Sequence, residues 1–178
     1  MNICIKNAGL LAMFIIMSCG DKKESATNSV AVSENRVEVK VIESKSSKRD
    51  SIIDFAKQYM GTPYCYAGNT PEKGFDCSGF VNFVFANFRI DLPRSSSDFK
   101  DLGTPLEPEE FRKGDILVFY GYQDSNSIGH LGIIYEANGM DSKFIHASSG
   151  SEYAVTISEL NSDHYSKRFY KCIDVISP

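Results

Sequence analysis

The run from Cys77 to Phe88 (CSGFVNFVFANF) is apolar at most positions, and it follows a stretch from Gly61 to Asp76 that is rich in glycine, proline and asparagine. A helix apolar almost all round must lie inside a domain, and the loop-forming stretch before it sets where the helix begins. Its first turn falls at Asp76-Cys77-Ser78. A thiol is thereby placed at the positive end of a buried helix, where the thiolate is expected to be stabilised and its nucleophilicity raised. Gly79, in the same turn, is expected to leave room for a substrate backbone.

The rest of the folded part reads around this helix. A first helix begins near Asp50 or Ser51, with Ile52, Ile53, Phe55, Ala56, Tyr59 and Met60 on one face and Asp54, Lys57 and Gln58 on the other. Gly61 stops it and Pro63 prevents its continuation. After the buried helix the pattern changes: 113–121 reads as a turn entering a strand, and 128–136, 143–148, 153–157 and 168–176 as further strands. Asn138-Gly139 between the second and third is a hairpin-turn dipeptide. Folding about Asn138 sets His130 opposite His146, within roughly 5 Å at Cβ, and a shift of one residue would separate them onto opposite faces. A helical first half followed by antiparallel strands predicts an α+β domain.

The 178 residues suffice for one such domain and a tail. A net charge of −4 supplies no basic field for a nucleic-acid backbone, which excludes that partner. The tail has its own logic. Residues 1–18 read as an export signal, with Lys6 ahead of a short apolar run (AGLLAMFIIM) that is too short to span a bilayer. The run ends in Ile16-Met17-Ser18-Cys19-Gly20, which resembles a bacterial lipoprotein box, with Cys19 the residue that becomes lipidated. A plain secretory signal is the alternative. Residues 19–46 carry mixed charges and no aromatic side chain, and are read as a flexible tether to a domain over 47–178.

A cysteine at a helix start and two histidines on later strands are the ingredients of thiol catalysis, although any lone cysteine or histidine is more often a packed core residue. Five separated segments change that balance. Phe75-Asp76-Cys77-Ser78-Gly79-Phe80-Val81 resembles the nucleophile motif of the NlpC-type cell-wall cysteine peptidases, which are papain-like. Gly129-His130-Leu131-Gly132-Ile133 is similar to that family's histidine strand, and Phe144-Ile145-His146-Ala147-Ser148 to the strand of its third catalytic residue. Leu92-Pro93-Arg94-Ser95-Ser96 and 113–119 (KGDILVF) match in order and spacing. The likeness runs from about Ser47 to Ile176.

The resemblance implies a nucleophile at Cys77, a general base at His130 and an orienting partner at His146. It places Tyr64 beside the active site, uses Asp76 and Ser78 to recognise the acyl side of the substrate, and makes Arg94 a candidate for the cleft wall. Ala67 stands where glycine is frequent, and Cys65 where a branched apolar residue is usual. With Cys172, Cys65 forms a disulfide or both are buried thiols; the residues alone leave the choice open. His164 matches no motif and is read as a surface residue. No metal or other cofactor is implied. The activity implied is cleavage of peptidoglycan stem peptides between D-glutamate and a diamino acid, by a lipoprotein of the cell envelope held at a membrane, on the periplasmic side of the outer membrane in a Gram-negative cell. Two alternatives remain: another amide hydrolase or acyltransferase with the same triad, and a non-catalytic wall-binding lipoprotein.

Overall fold

The structure is a computed structural model that describes residues 47–124 and 126–177; the signal, the lipoprotein box at Cys19 and the tether lie outside the described residues. No helix among the described residues is long and apolar enough to cross a membrane.

Helix α1 (Lys48–Lys57) starts a little earlier than its apolar face alone suggests, because Ser47 caps it by accepting the Asp50 N–H at 3.1 Å. It buries Ile52, Ile53 and Ala56, and Arg49 ties its first turn to Asp115 (2.6 Å) and Asp174 (2.7 Å). Two short strands, β1 (Asn69–Thr70) and β2 (Gly74–Phe75), then form a small antiparallel hairpin. This hairpin delivers the chain to α2 (Cys77–Ala86), whose N-cap is Asp76. Its carboxylate accepts the Gly79 N–H at 2.6 Å. Phe80, Val81, Val84 and Phe85 are wholly buried, as an all-round apolar helix requires.

The remaining strands are β3 (Ile116–Tyr120), β4 (Ile128–Glu136), β5 (Lys143–Ala147), β6 (Val155–Glu159) and β7 (Phe169–Ile173). They form one antiparallel sheet in the order β6-β5-β4-β3-β7. Both faces of the sheet are covered. Ile116, Val118, Leu131, Ile133, Ile145 and Ala147 share a core with α1 and α2. Leu117, Phe119, Ile134 and Phe144 pack instead against Phe111, Leu160 and Tyr165, the last from α3 (Asp163–Ser166). The unbroken apolar run of β3 follows from this two-sided burial.

The β4–β5 pairing corrects one expectation. Ile133 faces Ile145 and Ile134 faces Phe144, a register two residues away from the one a turn centred on Asn138 sets. The cause is the connection over 137–142, whose turn closes from the Asp141 N–H onto the Asn138 carbonyl at 2.9 Å with Gly139 at φ +53 inside it. An even displacement keeps alternate side chains on the same face, so His130 and His146 still meet, diagonally rather than directly opposite.

Gly79 corrects another. A Cβ there would collide with the Gly68 carbonyl oxygen, so the space is filled by the protein's own loop and not by substrate. Gly79→Ala should therefore displace this loop from the start of α2 at a cost of about 1–3 kcal/mol. A thermal scan checks it; an unchanged melting temperature would show that the loop gives way freely.

Candidate active site

Cys77 is 8% exposed, and its Sγ lies 3.9 Å from the carbonyl oxygen of Gly129, the residue before His130. The first N–H groups of α2 have no acceptor within the helix and gather near the sulfur. Tyr64 and Arg94 share the thiol's cavity with Asp76, Ser78 and Gly129. On β4 and β5, His130 Nε2 and His146 Nδ1 are 2.9 Å apart, and His146 Nε2 lies 2.9 Å from Ser158 Oγ. Tyr165 closes over this pair, its hydroxyl 3.4 Å from His146 Nε2. The structure thus brings His130 and His146 together and sets Cys77 beside the start of the same strand.

The charge state at rest differs from the sequence expectation. Burial pushes the Cys77 thiol up to about 11, helped by the Asp76 carboxylate, so it is a neutral thiol at pH 7. Desolvation outweighs the helix terminus here because the thiol is enclosed and its neighbour is an anion. Burial also holds His130 well below its ordinary value, with the charge of His146 second. His146 is pushed down to about 3 by burial and then by the nearby charges of Arg168 and His164. Burial raises Tyr64 to about 12, with the charges of Cys77 and Asp76 adding to it, so its phenol remains a donor.

The histidines have a consequence for stability. An unfolded histidine takes a proton below about pH 6.5, whereas folded His146 stays neutral until about pH 3. The unfolded chain therefore binds more protons between these values, and stability is lost as pH falls. The expected slope is roughly 1.4 kcal/mol per pH unit for one such histidine. Melting temperatures between pH 7 and pH 4 measure it, and His146→Asn should flatten the curve.

Asp76 and Arg94 are engaged with each other. Arg94 donates to both carboxylate oxygens of Asp76, at 3.0 and 2.8 Å, and to Ser78 Oγ at 3.1 Å. Asp76 thus caps α2 and neutralises Arg94 before any substrate arrives. Ala67 sits at φ +59 and Tyr153 at φ +45, left-handed conformations that favour glycine. The frequent glycine at the position of Ala67 has its explanation there. Tyr153 holds Tyr64, accepting its N–H at 2.8 Å with the rings 5.2 Å apart. Cys172 is a free, fully buried thiol, so the Cys65–Cys172 disulfide does not form. Among the described residues no group of three or more His, Cys, Asp or Glu is arranged to hold a metal ion.

Ser158, Tyr165 and Tyr153 are site residues that sequence reading missed. Ser158 faces His146 only because β5 and β6 pair with Phe144 opposite Ser158, a register that no local motif announces. His164, expected at the surface, is exposed but stacks its ring edge-on against Tyr165 at 4.7 Å.

An antiparallel sheet against which a buried helix presents a cysteine, beside a strand bearing a hydrogen-bonded histidine, is the papain-like α+β class. Within that class the chain belongs to the NlpC/P60 family, whose model matches residues 61–174. A gamma-DL-glutamyl hydrolase of Bacillus subtilis (strain 168) is 36% identical over 118 residues, 66% of this chain and 27% of that protein. Murein DD-endopeptidase MepS/Murein LD-carboxypeptidase of Escherichia coli (strain K12) is 32% identical over 156 residues, 86% of this chain and 76% of that one. Among solved structures, an NlpC/P60 family protein from Bacillus cereus ATCC 10987 is 28% identical with a TM-score of 0.63, covering 73% of this chain and 41% of that one. The chain spans between 27% and 37% of the length of the Bacillus relatives it matches.

Proposed function

We propose that the protein is a peptidoglycan endopeptidase that cleaves the bond between γ-linked D-glutamate and a diamino acid, using Cys77, His130 and His146. The observation that carries this reading is the chain of contacts His130–His146–Ser158 beside a buried thiol. Because Nε2 of His130 is taken by His146, Nδ1 is the ring nitrogen left to accept the thiol proton. Cys77 Sγ then bonds to the scissile carbonyl carbon. The oxygen that becomes negative is met by the N–H groups at the start of α2, with the Tyr64 hydroxyl available as a further donor. His130 returns its proton to the amide nitrogen, the C–N bond breaks, and the acyl group stays on sulfur. Water, deprotonated by the same histidine, releases the acid and restores the thiol.

The names of the relatives support hydrolysis of glutamyl and murein bonds. The tail supports delivery to the wall by a lipid on Cys19, at a membrane of the cell envelope. A second reading, DD-endopeptidase cleavage of murein, is favoured by the name of the Escherichia coli relative, which aligns over most of both chains. Purified peptidoglycan digested by wild type and by Cys77→Ala, with fragments identified by mass spectrometry, separates the two. Intact D-glutamyl links after digestion would overturn the first; fragments identical with the two proteins would overturn both.

A further inference from the structure

We infer that the cavity beyond His130 is a carboxylate-binding site for the amine-side residue of the substrate, with Arg168 as its charge partner. This rests on the hydrolase reading above. The cavity is about 380 Å³, and its walls include Tyr122, His130, Ser148, His164, Tyr165 and Arg168. The thiol's own cavity is a different one, and Gly129 borders both.

Reaction chemistry decides which half of a substrate goes where. The acyl group ends on Cys77, so it occupies the thiol's cavity. The leaving nitrogen must collect its proton from His130, so the residue that departs lies on the His130 side. Whatever lines that side reads the amine product.

The charge of Arg168 is the feature there that folding alone does not explain. Arg49, Arg94 and Arg112 each pair with an aspartate. Arg168 is half-buried, yet among the described residues no carboxylate pairs with it. Its Nε donates to the His164 carbonyl at 2.9 Å and its Nη1 to the Tyr120 carbonyl at 3.3 Å. The guanidinium lies 5.2 Å from the Tyr165 ring centre. These contacts aim and immobilise the fork while supplying no negative charge, and Nη2 keeps both its hydrogens without an acceptor among the described residues. A cation held partly out of water without a counter-charge is costly by itself and favourable once a carboxylate docks. The ligand class is therefore an amine-side residue with a free carboxylate, such as a diamino dicarboxylic acid, in preference to one whose carboxyl is amidated or absent.

The test uses the full chain and two synthetic peptides, identical up to the scissile bond and differing only in a carboxylate or a carboxamide on the amine-side residue. Wild type should favour the carboxylate in kcat/KM by about 10- to 100-fold, the worth of a charge-assisted hydrogen bond. Arg168→Gln should bring that ratio close to one, and Arg168→Lys should keep part of it. Because Arg168 also braces two carbonyls, melting temperatures are taken for both variants, and the ratio is compared only in variants that fold. A wild-type ratio near one, or a ratio unchanged in Arg168→Gln, overturns the site. Calorimetry on Cys77→Ala protein with the amine-side fragment alone, as acid and as amide, keeps the two readings apart. A carboxylate preference that Arg168→Gln removes supports the site even if neither peptide is cut, a result that would count against the hydrolase reading alone; no preference in binding or in turnover overturns the site.

Discussion

Changing Cys77 to alanine should reduce stem-peptide hydrolysis to background, a loss of about 10⁴-fold or more in kcat, while the fold survives. The two halves of this expectation come from different parts of the structure. Among the described residues the other free thiol, Cys172, is buried in the sheet's second apolar cluster and cannot take the place proposed for Cys77. Stability, by contrast, depends at this point on the Asp76 cap and on the apolar side chains that follow, neither of which uses the sulfur. Steady-state turnover together with a thermal scan tests both. Retained turnover would assign the chemistry elsewhere, and a collapsed melting temperature would make Cys77 a packing residue.

The second large effect separates the two histidines. His130→Ala removes the ring to which the proposed mechanism gives the thiol proton, and should cost about 10²- to 10⁴-fold in kcat. His146→Ala removes a ring that acts through His130, and water can take part of its place. A loss of about 10- to 100-fold is expected. Ser158→Ala probes the next link: the proposed mechanism needs the tautomer in which Ser158 Oγ accepts from His146 Nε2, so that His146 Nδ1 can accept from His130 Nε2 across contacts of 2.9 Å each. Its effect should be smaller again and should shift the acid limb of the pH–rate profile. Equal losses for His130→Ala and His146→Ala would mean that the roles are wrongly divided.

Much of the site was legible because its chemistry is carried by rare residue types in short local motifs. The position of Cys77 follows from one change of pattern, loop to apolar helix, and β4 was legible from end to end as 128–136. What stayed hidden was set by long-range pairing and by enclosure. Ser158 and Arg168 reach the site through strand register and a crossing connection, both decided by the packing of residues distant in sequence. The two-residue displacement of β5 came from a longer turn than Asn138-Gly139 suggests. The raised value of the thiol has a related cause. A helix terminus can be read from the sequence, but the degree to which the finished core shuts out water cannot, and burial prevails at Cys77.

That enclosure governs more than proton transfer. A thiol pushed up to about 11 spends little of its time as thiolate at pH 7, and it is the thiolate that peroxides, alkylating agents and stray disulfides attack. A thiol held in this way is expected to react slowly with all of them. On the proposed mechanism a permanently armed nucleophile is exchanged for chemical durability, the thiol being drawn into reaction only when a substrate fills the cleft and His130 takes the proton.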